Sequence, residues 1–178
     1  RRVEVRVNGR SVYVPAYPTI SWESLGLSPD DIQRIEVVRG SNVPVYGSNA
    51  IIGAINITTK SPIEESGSQV RVTVGDPDLR NINVRTNFKL QEGYGQLRFS
   101  HRENSGFDDL NDDGSVDHLV FNAAFTPTLQ DTFDIEIGRS EGVFGLGDTD
   151  HPDFFVEDEN RSHWLTAGWS RAQEKEKW

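Results

Sequence analysis

Two structural classes follow one another in this sequence. A small mixed α/β unit occupies about the first 60 residues, and about six antiparallel β-strands follow, of the kind that build a transmembrane barrel or one layer of a sandwich. Three observations predict this. Hydrophobic spacing is irregular as far as Lys60 and turns to period two from Gln69 onward. The chain has 16 glycines, and little of its 35% hydrophobic content is Leu or Ala, which suits β structure better than helix. The connections between alternating runs are by turns short and long.

In the first unit, Val3, Val5 and Val7 alternate with Glu4 and Arg6 and run into Asn8-Gly9, a strand ending in a tight turn. Ser28-Pro29-Asp30-Asp31 offers a helix N-cap, a proline at the first helical position and acids in the first turn. One or two helical turns can follow at most, because the β-branched run Ile35-Glu36-Val37-Val38 predicts a strand that Arg39-Gly40 ends. Residues 41–49 read as a loop. Ile51 to Thr59 reads as a further strand interrupted by Gly53, and Ser61-Pro62 with Glu64 to Ser68 as the exit linker.

Six alternating runs follow. Val70, Val72 and Val74 oppose Arg71 and Thr73; Ile82, Val84, Phe88 and Leu90 oppose Asn83, Arg85, Asn87 and Lys89. Leu97 and Phe99, then Leu119 to Phe125, then Phe133 to Ile137, then Leu165 to Trp169 repeat the pattern. A tilted transmembrane strand needs about 9–11 residues, and each run approaches that length. Gln91-Glu92-Gly93 and residues 127–131 read as tight turns, whereas 103–117 and 142–160 read as long loops, with 76–80 a third, short one. A soluble sandwich also alternates. The barrel is favoured by full charges on the polar side of the strands (Arg71, Arg85, Lys89, Arg98, Glu136) and by the strict alternation of turn lengths. Tyr94, Trp164 and Trp169 are either interfacial girdle residues or ordinary strand aromatics.

Charge and composition exclude several function classes. The net charge is −10, but residues 103–159 hold 16 acids against the single basic Arg139 and the remainder is basic. The long loops between strands are expected to carry most of that acid. No Lys/Arg patch with interleaved aromatics is present, so nucleic acid is not an expected partner. Cysteine is absent, which removes disulfides, thiolate metal sites and thiol nucleophiles. No Gly-x-Ser-x-Gly elbow or phosphate loop occurs, so no enzyme is expected. The chain starts at Arg1 and contains no Met, which suggests a processed or partial polypeptide.

The segment Ile35-Glu36-Val37-Val38-Arg39-Gly40, with Tyr46-Gly47 seven residues on and Gly53-Ala54-Ile55-Asn56-Ile57-Thr58-Thr59-Lys60 after it, resembles the plug of TonB-dependent outer-membrane receptors. Val7-Asn8-Gly9-Arg10 is similar to an earlier Val-Asp-Gly-Arg segment of that family, with Asn in place of Asp. The resemblance implies an α+β plug-domain fragment over residues 1–62, its C-terminal part, then the N-terminal strands of an outer-membrane β-barrel over 63–178. It implies a bacterial outer-membrane location, membrane lipid around the strands, and energised uptake of a scarce nutrient (a metal chelate, cobalamin or similar) through the TonB complex. It also implies that Arg39, and with it Arg10, pairs with acids of the barrel wall, for which Glu136 is the best candidate, in a contact region that includes Gly40, Tyr46 and Gly47. Glycine at 40 and 47 suits strand ends that turn sharply. An arginine at the end of a buried strand needs carboxylate partners.

Six open strands cannot hide their edge hydrogen bonds in lipid, so the chain is expected to be completed by further strands or other chains. A receptor-derived accessory subunit of a larger membrane complex, without transport of its own, is therefore an alternative reading. A soluble calcium-binding β-module is another. Asp109, Asn111, Asp113 and Asp117 have the alternate spacing of oxygen ligands in a calcium loop, with Gly114 at the sharp turn, but Val120 stands where an EF-hand places its closing Glu. Asp148, Asp150, His151 and Asp153 form a second oxygen-rich cluster without a recognisable metal geometry.

Overall fold

The structure is a computed structural model that describes residues 3–13, 20–41, 43–64, 66–76, 78–108, 110–147 and 155–172. The chain divides into two compact units, Arg1–Lys60 and Ser61–Trp178.

The first unit is a four-stranded sheet in the order β2-β1-β4-β3. Strands β1 (Val3–Val7) and β2 (Arg10–Ser11) form a hairpin. Its turn places Asn8 at φ 50° and Gly9 at φ 80°, the left-handed pair that a two-residue hairpin loop demands. Asn8 does more than turn the chain. Its Oδ1 accepts from the Thr59 backbone N–H at 3.0 Å and its Nδ2 donates to Thr59 Oγ1 at 2.9 Å, clipping the hairpin to the far end of β4.

The expected helix at Ser28 is a single 3₁₀ turn, Pro29–Asp31. Ser28 and Asp31 form a capping box, with the Ser28 N–H donating to Asp31 Oδ2 at 3.1 Å. Strand β3 (Ile32–Arg39) begins at once, because β-branched residues from Ile35 leave no room for a second turn. It pairs antiparallel with β4 (Gly53–Thr59), which in turn pairs parallel with β1. Val5, Val7 and Ile57 form the buried centre, with Val12, Ile20, Leu27, Ile32 and Ile55 packed around it. The loop expected over 41–49 contains a short helix, α1 (Val43–Tyr46).

The second unit is one antiparallel sheet in sequence order: β5 (Ser68–Gly75), β6 (Leu79–Leu90), β7 (Gly93–Asn104), β8 (Gly114–Phe125), β9 (Asp131–Leu146) and β10 (Val156–Arg171). All six expected strands are present, and β6 to β10, at 12 or 16 residues, are longer than expected, whereas β5 has 8. Strands β8, β9 and β10 extend into both regions read as long loops, β8 beginning at Gly114, β9 ending at Leu146 and β10 beginning at Val156. The strand ends expected from the sequence fall where charges begin. The charges pair across the ladder instead: His101 Nδ1 meets Asp117 Oδ1 at 2.8 Å, and Arg80 meets Glu103 at 3.2 Å. Glu103, Asp117, Glu157, Asp158 and Glu159 therefore lie on strands, not in loops.

Both short connections, 91–92 and 126–130, lie at one end of the sheet, and the connections 76–78, 105–113 and 147–155 lie at the other. No helix among the described residues is long and apolar enough to cross a membrane. Strands of 12 and 16 residues exceed what a tilted strand needs for that purpose.

Candidate functional site

The period-two alternation gives the second sheet two faces, and their burial is the reverse of a water-soluble protein's. Leu119 is 50% exposed, Ile137 51% and Leu165 70%, whereas Arg98, Gln96 and Glu136 on the opposite face are 6% exposed or less. Charged groups leave water only when they are paired, and the polar face supplies partners strand by strand.

One row of that face crosses all six strands. Gln69 on β5 accepts from Arg85 Nη2 at 3.0 Å. Arg85 stands opposite Arg98 in the β6–β7 register. Arg98 Nη2 donates to Asn122 Oδ1 at 3.1 Å and lies 3.7 Å from Glu136 Oε2. Glu136 also accepts from Asn122 Nδ2 at 2.8 Å and from the Trp164 indole N–H at 2.8 Å. The carboxylate singled out in the sequence is thus held by three strands of its own sheet. Trp164 fits because its direct neighbour in the ladder is Gly138, over whose Cα the indole lies.

The other face carries an apolar band that ends in ionic pairs. Toward the long connections stand Arg80–Glu103, His101–Asp117, Arg139–Glu141 and Arg161, the last lying 3.6 Å from Glu159 and 3.8 Å from Glu141. Toward the short turns, Trp169 and Arg171 both bind Asp131: the indole N–H reaches Oδ1 at 3.0 Å, and the guanidinium holds both oxygens at 2.9 Å. Of the three aromatics weighed as girdle residues, Trp169 stands on this apolar face, whereas Tyr94 and Trp164 share the polar face with Gln96 and Glu136.

In the first unit the residues read as a contact region cluster around the β3–β4 connection. Arg39 ends β3 exposed; Gly40 follows at φ 91° and donates its N–H to Ile52 O at 3.1 Å. Gly47 sits at φ 93° directly after Tyr46, where only glycine is unstrained. Arg6, which the sequence reading passed over, reaches across from β1. Its Nη2 donates to Tyr46 O at 2.8 Å and its guanidinium lies 5.3 Å from the centre of the Tyr46 ring, while Nε faces Glu4 at 3.5 Å. Arg10 Nη2 donates to Leu25 O at 3.3 Å. The alternation Glu4-Val5-Arg6 was the available signal, since a charged pair flanking the most buried valine of the sheet must be satisfied by something.

The calcium-loop residues are divided. Asp109 lies outside the described residues, as do Asp148, Asp150, His151 and Asp153. Asn111 Nδ2 donates to Leu146 O at 3.3 Å, the Asp113 carboxylate lies over Gly145, and Asp117 faces His101. Among the described residues no group of three or more acids and histidines is arranged to hold a metal.

Residues 1–54 match the family model described as TonB-dependent Receptor Plug Domain. The chain is similar to the vitamin B12 transporter BtuB of Vibrio cholerae, 36% identical over 61 residues that cover 34% of this chain and 10% of that protein. It is also similar to the ferric enterobactin receptor PirA of Pseudomonas aeruginosa, 34% identical over 70 residues that cover 38% of this chain and 9% of that protein. Among solved structures, FpvA of P. aeruginosa bound to pyoverdines superposes with a TM-score of 0.75 at 14% identity over 96% of this chain and 26% of that one. The copper transporter OprC gives 0.67 at 16% identity over 92% and 26%.

Residues 1–54 thus match a plug-domain model, and the chain has the fold of the corresponding parts of these solved structures, a small mixed unit followed by antiparallel strands. It spans about a tenth of the length of these curated relatives and about a quarter of these solved chains.

Proposed function

We propose that this chain is part of an outer-membrane receptor that imports a scarce nutrient with energy delivered through TonB. The observation that carries the reading is the reversed burial of the second sheet, joined in one chain to a plug segment. An exposed apolar face suits hydrocarbon, and a charged, hydrogen-bonded face suits the wet interior of a barrel. The edge strands β5 and β10 end the sheet, so further strands must complete it before it can sit in lipid.

The cargo class follows from the relatives, which are named for vitamin B12, ferric enterobactin and copper. A chelated metal or cobalamin is the cargo proposed here. In this account, the connections 105–113 and 147–155 face the exterior and take part in capture. Arg39, exposed beside the Gly40 turn, anchors the plug to carboxylates of the barrel wall, and Arg10 assists it.

Deleting the gene in its host and measuring uptake of labelled ferric chelates and cobalamin tests the proposal. Uptake of one cargo falls in the deletion strain, and falls equally in a strain whose TonB is inactivated. Unchanged uptake of every cargo in both strains would contradict it. The accessory-subunit reading is supported by the same unpaired sheet edges; it predicts a stable complex with other chains and no change in uptake.

A further inference from the structure

The apolar face of the second sheet is not uniform. Between β7 and β10 it holds an open groove of about 510 Å³. Leu119, Phe121, Ile137 and Leu165 line it, and Arg139 and His163 close one end. Those two basic residues stand directly opposite each other in the β9–β10 register. In the same cross-strand row, β7 and β8 place Phe99 and Leu119, so the row changes from apolar to basic between β8 and β9.

We propose that this groove is a binding site for one phosphorylated lipid of the outer leaflet, its acyl chain along Leu119, Phe121, Ile137 and Leu165 and its phosphate against Arg139 and His163. The inference rests on the membrane reading above. Three observations favour this occupant over undirected lipid contact. The basic end of the groove points toward the long connections, the exterior side in that reading, so the leaflet is defined. The arginine presents a planar fork that matches phosphate oxygens. Glu141 pairs with both Arg139 and Arg161, which holds the guanidiniums in place and lowers the ordering cost of binding. Glu141 and Glu159 also keep the surrounding belt close to neutral, so bulk charge does not recruit anionic lipid here. Selection comes from the local pairing of an apolar slot with a cationic end.

The test uses the full-length receptor purified from outer membranes in mild detergent, with bound lipid counted by native mass spectrometry. Wild type and Arg80→Gln, a belt residue away from the groove, each retain one phosphorylated lipid. Arg139→Gln/His163→Gln retains at least about tenfold less, the loss expected when charge-assisted hydrogen bonds to phosphate go. Leu165→Trp, which fills the slot without touching charge, shows the same loss, and heat-modifiable migration stays unchanged in all variants. Equal lipid in every variant would overturn the proposal, as would an equal loss in Arg80→Gln, which marks ordinary annular lipid. Retention of an unphosphorylated lipid alone would also overturn it. A receptor found in the outer membrane without this lipid sinks the site alone, whereas one found outside that membrane sinks the membrane reading with it.

Discussion

Trp164 lies flat over Gly138, its direct neighbour in the β9–β10 ladder, and from there its indole N–H reaches Glu136 at 2.8 Å. A Cβ built on Gly138 would fall inside the ring, so the glycine is what lets the carboxylate and indole meet on the polar face.

Gly138→Ala should therefore displace the indole and break its bond to Glu136, at a cost of about 2–3 kcal/mol from overpacking and the lost hydrogen bond. Gly75→Ala is the contrast. Its added methyl meets only the Leu79 side chain, at an ordinary 3.5 Å or more, and the change should stay within about 0.5 kcal/mol. Urea unfolding of both variants in detergent, read by tryptophan emission, checks the pair.

Glu136 joins β7, β8, β9 and β10 through Arg98, Asn122 and Trp164. Glu136→Gln keeps an acceptor for the indole and loses the charge, which predicts a cost of about 1–2 kcal/mol. Glu136→Leu leaves the Arg98 guanidinium without this carboxylate in a buried place and should cost about 3 kcal/mol or more. If the leucine variant unfolds at the same urea concentration as wild type, the row does not hold the sheet together.

Asn8 stands where the family pattern has Asp, and the clip to Thr59 accounts for the amide. Asn8→Asp keeps the acceptor for the Thr59 N–H but brings a second acceptor against Thr59 Oγ1 in place of the Nδ2 donor. The expected loss is about 1 kcal/mol. Asn8→Ala removes both bonds and also forces alanine to a φ of 50°, for about 2–3 kcal/mol. Hydrogen exchange of the Thr59 amide should quicken in both variants, and more in the second.

Arg6→Lys retains charge beside Glu4 but gives up the fork that reaches Tyr46 O while facing its ring. About 1 kcal/mol of local stability should go, seen as faster protease cleavage around residues 43–50 with strands β1 and β4 still protected. Cleavage as slow as in wild type would show that Arg6 does not hold this connection.

The strands were legible because period-two alternation survives whichever face is buried. The Asn8-Gly9 hairpin and the Ser28 cap were legible because each depends on two or three adjacent residues. Strand ends were not legible. Asp117 and Glu159 read as loop residues, and only their cross-strand neighbours His101 and Val143 make them strand residues. The short helix Val43–Tyr46 was missed for a related reason: four residues with a Pro and two Val carry no helical periodicity. At the candidate site, Glu136 stood out as a charge within a strand, but Trp164 and Arg98 become its partners only through register. Arg6 finds Tyr46 across 40 residues of sequence, which no local pattern encodes.

In the proposed receptor, one face of the β5–β10 sheet meets lipid and the other meets water. The chain contains no cysteine, so single cysteines introduced along β8 and β10 can be spin-labelled without background. The decisive measurement is the relative collision of each label with oxygen, which partitions into lipid, and with a water-soluble nickel chelate, in the full-length receptor reconstituted in bilayers. High oxygen and low nickel access are expected for Leu119→Cys, Phe121→Cys and Leu165→Cys, and markedly lower oxygen access for Val120→Cys, Asn122→Cys and Thr166→Cys. Equal nickel access at both sets, with no two-residue period, would contradict it.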